Sequence, residues 1–191
     1  MVDFINIKIN NRNILYNGKI RKTKKGTGTI RFKQMPKTEN VHVIFPILHK
    51  RTSDSIILAI DEILNRKITQ DDETGEISIQ LGREYVGRKC IIIPYGISIE
   101  IDRKHIIYSR EVKKTYNGQG IVLLRDGFLG NRSYVIFPET VKEKDDDMSK
   151  IMVNVDEILN KGIHPNNDHT SRVLLGQAYV GRKCILILQE G

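Results

Sequence analysis

Glu84-Tyr85-Val86-Gly87-Arg88-Lys89-Cys90-Ile91-Ile92-Ile93 and Ala178-Tyr179-Val180-Gly181-Arg182-Lys183-Cys184-Ile185-Leu186-Ile187 read almost alike, 94 residues apart. An aromatic, a glycine, two bases and an apolar run describe a short connector turning into a buried strand. The likeness extends in both directions. Ile5, Ile7, Ile9 and Tyr16 return as Ile97, Ile99, Ile101 and Tyr108, and Lys22, Thr23, Gly26 and Gly28 return as Lys114, Thr115, Gly118 and Gly120, both sets at an offset of 92. Val43 to Pro46 return as Val135 to Pro138 at the same offset, and Asp61 to Asn65 as Asp156 to Asn160 at 95. A repeat of constant order predicts a tandem duplication with two domains, residues 1–95 and 96–191, each near the usual domain size.

The dominant period is two. Ile5-x-Ile7-x-Ile9, Val41-His42-Val43-Ile44-Phe45 and Ile77-Ser78-Ile79 alternate as half-buried strands do. Gly26-Thr27-Gly28 and Asn117-Gly118-Gln119-Gly120 suit hairpin turns, because glycine tolerates positive φ. Helix signals are few: a turn or two over Asp61 to Asn65 and Asp156 to Asn160, and single turns over Arg83 to Val86 and Gln177 to Val180. A weaker repetition lies inside each half, where Ile121 to Pro138 overlays Arg172 to Leu188 as strand, connector, glycine, base and strand. Two such units per half would close a barrel. The expected fold is therefore mainly β, two tandem small β-barrels with little helix.

Gly75 to Ile93, together with the basic Gly-x-Gly turn of Arg21 to Gly28, resembles the swapped-hairpin barrels of the SpoVT/AbrB and MazE type. It is most similar to short archaeal transposon-associated proteins. In that family two short chains interleave hairpins into one barrel that usually binds DNA. The resemblance implies a swapped-hairpin-like barrel in each half, DNA binding, and a role in transcription regulation or DNA architecture.

Charge is shared unequally. Residues 1–95 hold 17 basic and 10 acidic side chains, +7, and the remainder 14 and 13, +1, of the total +8. Residues 4–38 contain ten bases and no acid. Such a tract attracts polyanions through Coulomb focusing and counterion release. Lys19, Arg21, Lys22, Lys24, Lys25, Arg31 and Lys33 fall on two expected strands joined by a glycine turn, a protruding ribbon able to enter a DNA major groove and reach phosphates. Its copy keeps Lys113 and Lys114 but has Tyr116 and Asn117 where the first has Lys24 and Lys25. Arg88-Lys89 and Arg182-Lys183 form a second matched pair that either begins a strand at the surface or, where it projects beside the hairpins, extends the phosphate-binding surface.

Other chemistry is sparse. No nucleophile or acid/base group sits beside a partner in a recognisable set, so no enzyme is expected. His164 and His169 flank a turn-rich loop, and Asp145-Asp146-Asp147 is a charge run without further spaced ligands, so neither predicts a metal. No cofactor is implied, since Gly26-Thr27-Gly28 lacks the Gly-Lys-Ser/Thr and helix of a phosphate loop. Cys90 and Cys184, equivalent in the two halves, predict a small buried side chain copied with the repeat. No apolar run reaches the length of a membrane span and the N-terminus carries no leader pattern, so no membrane partner and a cytoplasmic location are expected. The expected partner is nucleic acid, DNA in preference to RNA, with a protein partner on the second repeat as an accessory. The alternative is an assembly module: a ribosome- or polymerase-associated factor, or a viral structural protein.

Overall fold

The computed structural model describes residues 4–125 and 127–189; residues 1–3, the start of the N-terminal stretch without a leader pattern, lie outside them. The chain is mainly β, and its helical content is single 3-10 turns. It divides into two compact units, one of residues 6–97 and one of residues 98–189 together with 4 and 5.

The first unit contains β1 (Asn6–Asn10), β2 (Tyr16–Lys19), β3 (Arg21–Lys22), β4 (Gly28–Phe32), β5 (Asn40–Arg51), β6 (Ser55–Lys67), β7 (Thr69–Gln70), β8 (Ile77–Leu81) and β9 (Lys89–Pro94). They form two antiparallel sheets, ordered β1-β6-β5-β9-β2 and β3-β4-β8-β7. The second unit contains β10 (Ile97–Asp102), β11 (Ile106–Glu111), β12 (Lys113–Lys114), β13 (Gly120–Arg125), β14 (Arg132–Lys144), β15 (Asp147–Gly162), β16 (His164–Asn167), β17 (Thr170–Leu175) and β18 (Lys183–Gln189). Its sheets run β10-β15-β14-β18-β11 and β12-β13-β17-β16, the same order element for element.

No sheet closes on itself among the described residues, which corrects the expected barrels. The ladders stop at corners instead. β2 passes into β3 through Ile20 alone, and β6 into β7 through Ile68 alone, so each chain run leaves one sheet and joins the other. Both corner residues are buried. Ile20 N–H donates to the Arg88 carbonyl at 3.0 Å, and Gly87 N–H donates to that of Ile20 at 2.9 Å. Val112 makes the equivalent pair with Arg182 and Gly181 at 2.9 Å each.

The alternating isoleucines pack as their period predicts: Ile7 and Ile9 in β1, and Ile99 and Ile101 in β10, are buried beside exposed neighbours. The glycine turns and the 3-10 turns at Arg83–Tyr85 and Gln177–Tyr179 fall where expected. The helical turns do not. Asp61 to Asn65 lie inside β6 and Asp156 to Asn160 inside β15, because pairing such as Ile44 to Ile63 and Val43 to Leu64 overrides a weak local helix signal.

The register slips at Phe45/Pro46, so that Asp61 is an extra residue between Glu62, opposite Phe45, and Ile60, opposite Pro46. Pro46 has no N–H to give to a ladder, and a bulge accommodates it. Beyond it β5 becomes an exposed arm carrying His49 and Arg51. Phe137/Pro138 repeats the slip, with Asp156 as the extra residue.

Cys90 and Cys184 are free, buried thiols, as their equivalence predicted. Burial pushes each pKa up to about 12. At pH 8 neither is a thiolate, so both should be silent to a thiol-specific disulfide reagent in the native protein and react together on denaturation. Reaction of either before the unfolding transition would contradict this packing.

Gly28 and Gly120 are held by close approach rather than by φ. A Cβ on Gly28 would lie 2.7 Å from Ile20 Cγ2, and one on Gly120 would lie 2.9 Å from Val112 Cγ1 and 3.0 Å from the Gly176 carbonyl. Gly28→Ala and Gly120→Ala should each lower stability by about 1–3 kcal/mol in urea unfolding.

Candidate nucleic-acid interface

The first hairpin turns over Lys24, Lys25 and Gly26. Gly26 N–H donates to the Thr23 carbonyl at 3.0 Å, Thr23 N–H donates to that of Thr27 at 2.8 Å, and the two threonine hydroxyls lie 2.8 Å apart. Gly26 sits at φ 86°, the left-handed conformation that such a three-residue loop requires of its last position. The second hairpin is built alike, with Gly118 at φ 82°.

The ribbon does not protrude along its length. β4 is paired on both sides, to β3 and to β8, and Gly28, Thr29 and Ile30 are buried. What emerges is the tip and the edge strand β3, carrying Arg21, Lys22, Lys24 and Lys25, all exposed. Arg31, exposed on β4, pairs with Glu76 at 2.9 Å, and Lys33 lies beyond the end of β4.

Around the tip, Lys22, Lys24, Lys25 and Arg83 line a depression of about 400 Å³ floored by Gly26 and Val86. The Arg83 guanidinium lies against Gly26, 3.4 Å from where a Cβ would stand. Among the described residues none of these four cations has an ion-pair partner. Arg83 escaped sequence reasoning, although its replacement by Gln177 in the second copy marks it. The equivalent positions of the second unit are Lys114, Tyr116, Asn117 and Gln177, a single cation, with Tyr116 fully exposed.

Arg88 and Arg182 are placed differently. The Arg88 guanidinium donates to Asp61 at 2.8 Å, lies 3.5 Å from Glu62 and sits 4.3 Å over the Phe45 ring, itself stacked on Tyr85 at 4.8 Å. Arg182 repeats this with Asp156 at 2.5 Å, Glu157 at 2.9 Å and Phe137 at 4.4 Å. Consecutive carboxylates on a regular strand point to opposite faces, and the bulges at Asp61 and Asp156 bring both within reach of one guanidinium. These arginines are committed inside their own units, whereas Lys89 and Lys183 stay exposed and without an ion pair among the described residues. Tyr16 and Tyr108 also serve the fold: their half-buried hydroxyls donate to the Lys19 and Glu111 carbonyls at 2.8 and 2.7 Å.

In the second unit several cations beside β10 are paired. Lys144 and Lys150 pair with Glu100, Arg103 with Glu143 and Lys104 with Asp102, and the lysines hold the Glu100 carboxyl below its ordinary pKa. Lys113 and Lys114 remain on the edge strand β12. Among the described residues no helix is long and apolar enough to cross a membrane, and no group of three or more metal-ligating side chains occurs.

No family model matches the chain, and neither the curated proteins nor the solved structures compared with it give a match.

Arg88→Lys tests the internal role. A lysine cannot fork onto two carboxylates or stack on Phe45, so stability should fall by about 1–3 kcal/mol. Lys89→Ala should stay within about 0.5 kcal/mol by the same urea titration.

Proposed function

We propose that this is a non-enzymatic nucleic-acid-binding protein that grips phosphates through the tip and edge of its first hairpin, with duplex DNA as the preferred ligand. The observation that carries the reading is the cluster of Lys22, Lys24, Lys25 and Arg83 around one depression, cations without an ion-pair partner among the described residues where the second unit keeps only Lys114. Like charges gathered on one turn repel, and a polyanion relieves that repulsion while releasing counterions. Lys19, Arg21, Lys33 and Lys89 extend the field, and Lys113, Lys114 and Lys183 offer a weaker second site. No Phe or Tyr ring among the described residues of the first unit is exposed, so the face lacks the stacking platform that single strands use, and a duplex backbone suits it better.

The identical strand order of the two units supports an ancestral tandem duplication. The swapped-hairpin kinship is part of the same proposal. Within each unit the two strands that enter the large sheet from the small one, β5 and β9 or β14 and β18, pair antiparallel, as do the strands that precede them, β4 with β8 and β13 with β17. That is the pairing expected of two interleaved hairpin units fused in one chain. A cytoplasmic regulator or architectural protein fits this reading.

One observation favours a second reading, an assembly module with a protein partner on the second unit. A cleft of about 1020 Å³ there combines apolar walls, including Ile106, Val141, Ile151 and Ile185, with the edge strand β11.

Fluorescence anisotropy with duplex DNA, single-stranded DNA and structured RNA across a salt series decides between them. Replacing Lys22, Lys24 and Lys25 together by alanine should weaken duplex binding at least about tenfold at low salt. The same replacement should flatten the salt slope by about two to three, near 0.9 for each phosphate no longer neutralised. Tight binding that ignores the triple substitution, or no binding at low salt, would refute the hairpin reading and leave the assembly module.

A further inference from the structure

The hairpin tip is not the first unit's only concentration of unpaired positive charge. Lys19 on β2 stands directly opposite Lys89 on β9 in the antiparallel register. Like charges facing each other across a ladder destabilise it. The second unit has the same register with the repulsion removed, since Glu111 faces Lys183. The arm of β5 adds to the anomaly. Arg51 and His49 reach the same depression of about 310 Å³ as Lys19 and Lys89, over a wall that includes Pro46 and Ile56. At the equivalent positions the second unit has Glu143 and Val141, and Glu143 is neutralised by Arg103 at 2.7 Å. At Lys19, His49 and Arg51 the differences between the matched units favour the first as an anion site; at Gly18 the second has the cation, Arg110, beside the two acids Glu111 and Glu143. The first unit's depression has three permanent cations, an imidazole and no acid, and among the described residues none of these four side chains has an ion-pair partner.

We infer that the depression formed by Lys19, His49, Arg51 and Lys89 is a binding site for a phosphoryl group. A bound dianion would sit between the two facing lysines and turn their repulsion into attraction. Arg51 supplies a planar fork of donors suited to phosphate oxygens, and the lysines act as point charges. His49 is able to donate one further hydrogen bond. The volume accommodates a phosphate or a pyrophosphate. The phosphoryl group belongs either to a nucleic-acid backbone or to a free phosphorylated molecule. The inference stands on residues separate from the hairpin tip, and its failure is distinguishable from failure of the reading above.

The test uses the full chain and inorganic pyrophosphate, followed by isothermal titration calorimetry and by amide chemical shifts. Saturable binding with shifts at Lys19, His49, Arg51 and Lys89 is expected. Lys19→Glu installs the second unit's pairing, so it should weaken pyrophosphate at least about tenfold while raising the melting temperature by about 2 °C. A loss of binding with a gain in stability is not a folding defect. Lys89→Gln, which relieves the repulsion without adding an acid, should weaken binding at least about tenfold, as loss of one charge-assisted hydrogen bond does. The alanine triple at Lys22, Lys24 and Lys25 should leave the pyrophosphate-dependent shifts at Lys19, His49, Arg51 and Lys89 in place, because these residues line a separate depression. Displacement of pyrophosphate by duplex DNA would assign the group to a nucleic-acid backbone, and its retention would assign it to a free phosphorylated molecule; both support the site. Absence of binding to the wild-type protein, or binding that Lys19→Glu leaves intact, overturns it.

Discussion

The two hydrogen bonds that tie Ile20 to Gly87 and Arg88 are the constraint on which the first unit turns. Ile20 is the residue at which the run from β2 to β3 leaves the large sheet for the small one, and a buried corner needs its N–H and carbonyl satisfied. The connector ahead of β9 satisfies both. That connector must reverse at Gly87, whose φ of 82° a β-carbon would penalise, and it must then deliver Arg88 onto Phe45 and the carboxylates of the bulge. Gly28 completes the corner by leaving room for the Ile20 side chain. The positions of the hairpin, of Arg83 and of Lys89 all follow from this single clamp.

The second unit repeats the clamp through Val112, Gly181 and Arg182, and this explains which positions match between the units. Positions that build corners, bulges and core are kept. Several positions that face outward have lost positive charge in the second unit, Lys19 against Glu111, Lys24 against Tyr116, Lys25 against Asn117, Arg51 against Glu143 and Arg83 against Gln177, while others such as Asn11 against Arg103 and Gly18 against Arg110 have gained it. Scaffold and charge are separable because the scaffold's own salt bridges, at Arg88 and Arg182, do not involve the diverged residues.

The strands, glycine turns and buried cysteines were legible because each depends on a local period or a single backbone requirement. The alternating isoleucines of β1 and β10 need nothing beyond a period of two. Asp61 to Asn65 misled because its helical look is local while its strand state is decided by partners far away in sequence, Val43 and Ile44 on one side of β6 among them. The open corners were hidden for a related reason: a run such as Tyr16 to Lys22 shows no break at Ile20, and only the change of partner from β9 to β4 reveals one. The ion pairs of Arg88 were hidden in sequence because the bulge that turns Asp61 toward it has no sequence mark except the proline on the opposite strand.

The corner also gives the two basic regions a fixed spacing. β2 lies at the edge of the large sheet and β3 at the edge of the small one, with buried Ile20 between them. Lys19 faces the depression shared with Lys89, and Lys22 faces the one shared with Arg83. Three residues of chain span at most about 10 Å. A nucleic-acid strand advances about 3.4 Å per phosphate along its axis, so roughly three steps cover that separation. On the proposed reading one backbone is long enough to span both depressions, and of the two residues between Lys19 and Lys22, Ile20 faces the core while Arg21 is exposed. On the same reading the equivalent strand of the second unit, with Glu111 at the position of Lys19 and Arg110 beside it, offers such a backbone a mixed rather than a uniformly positive face.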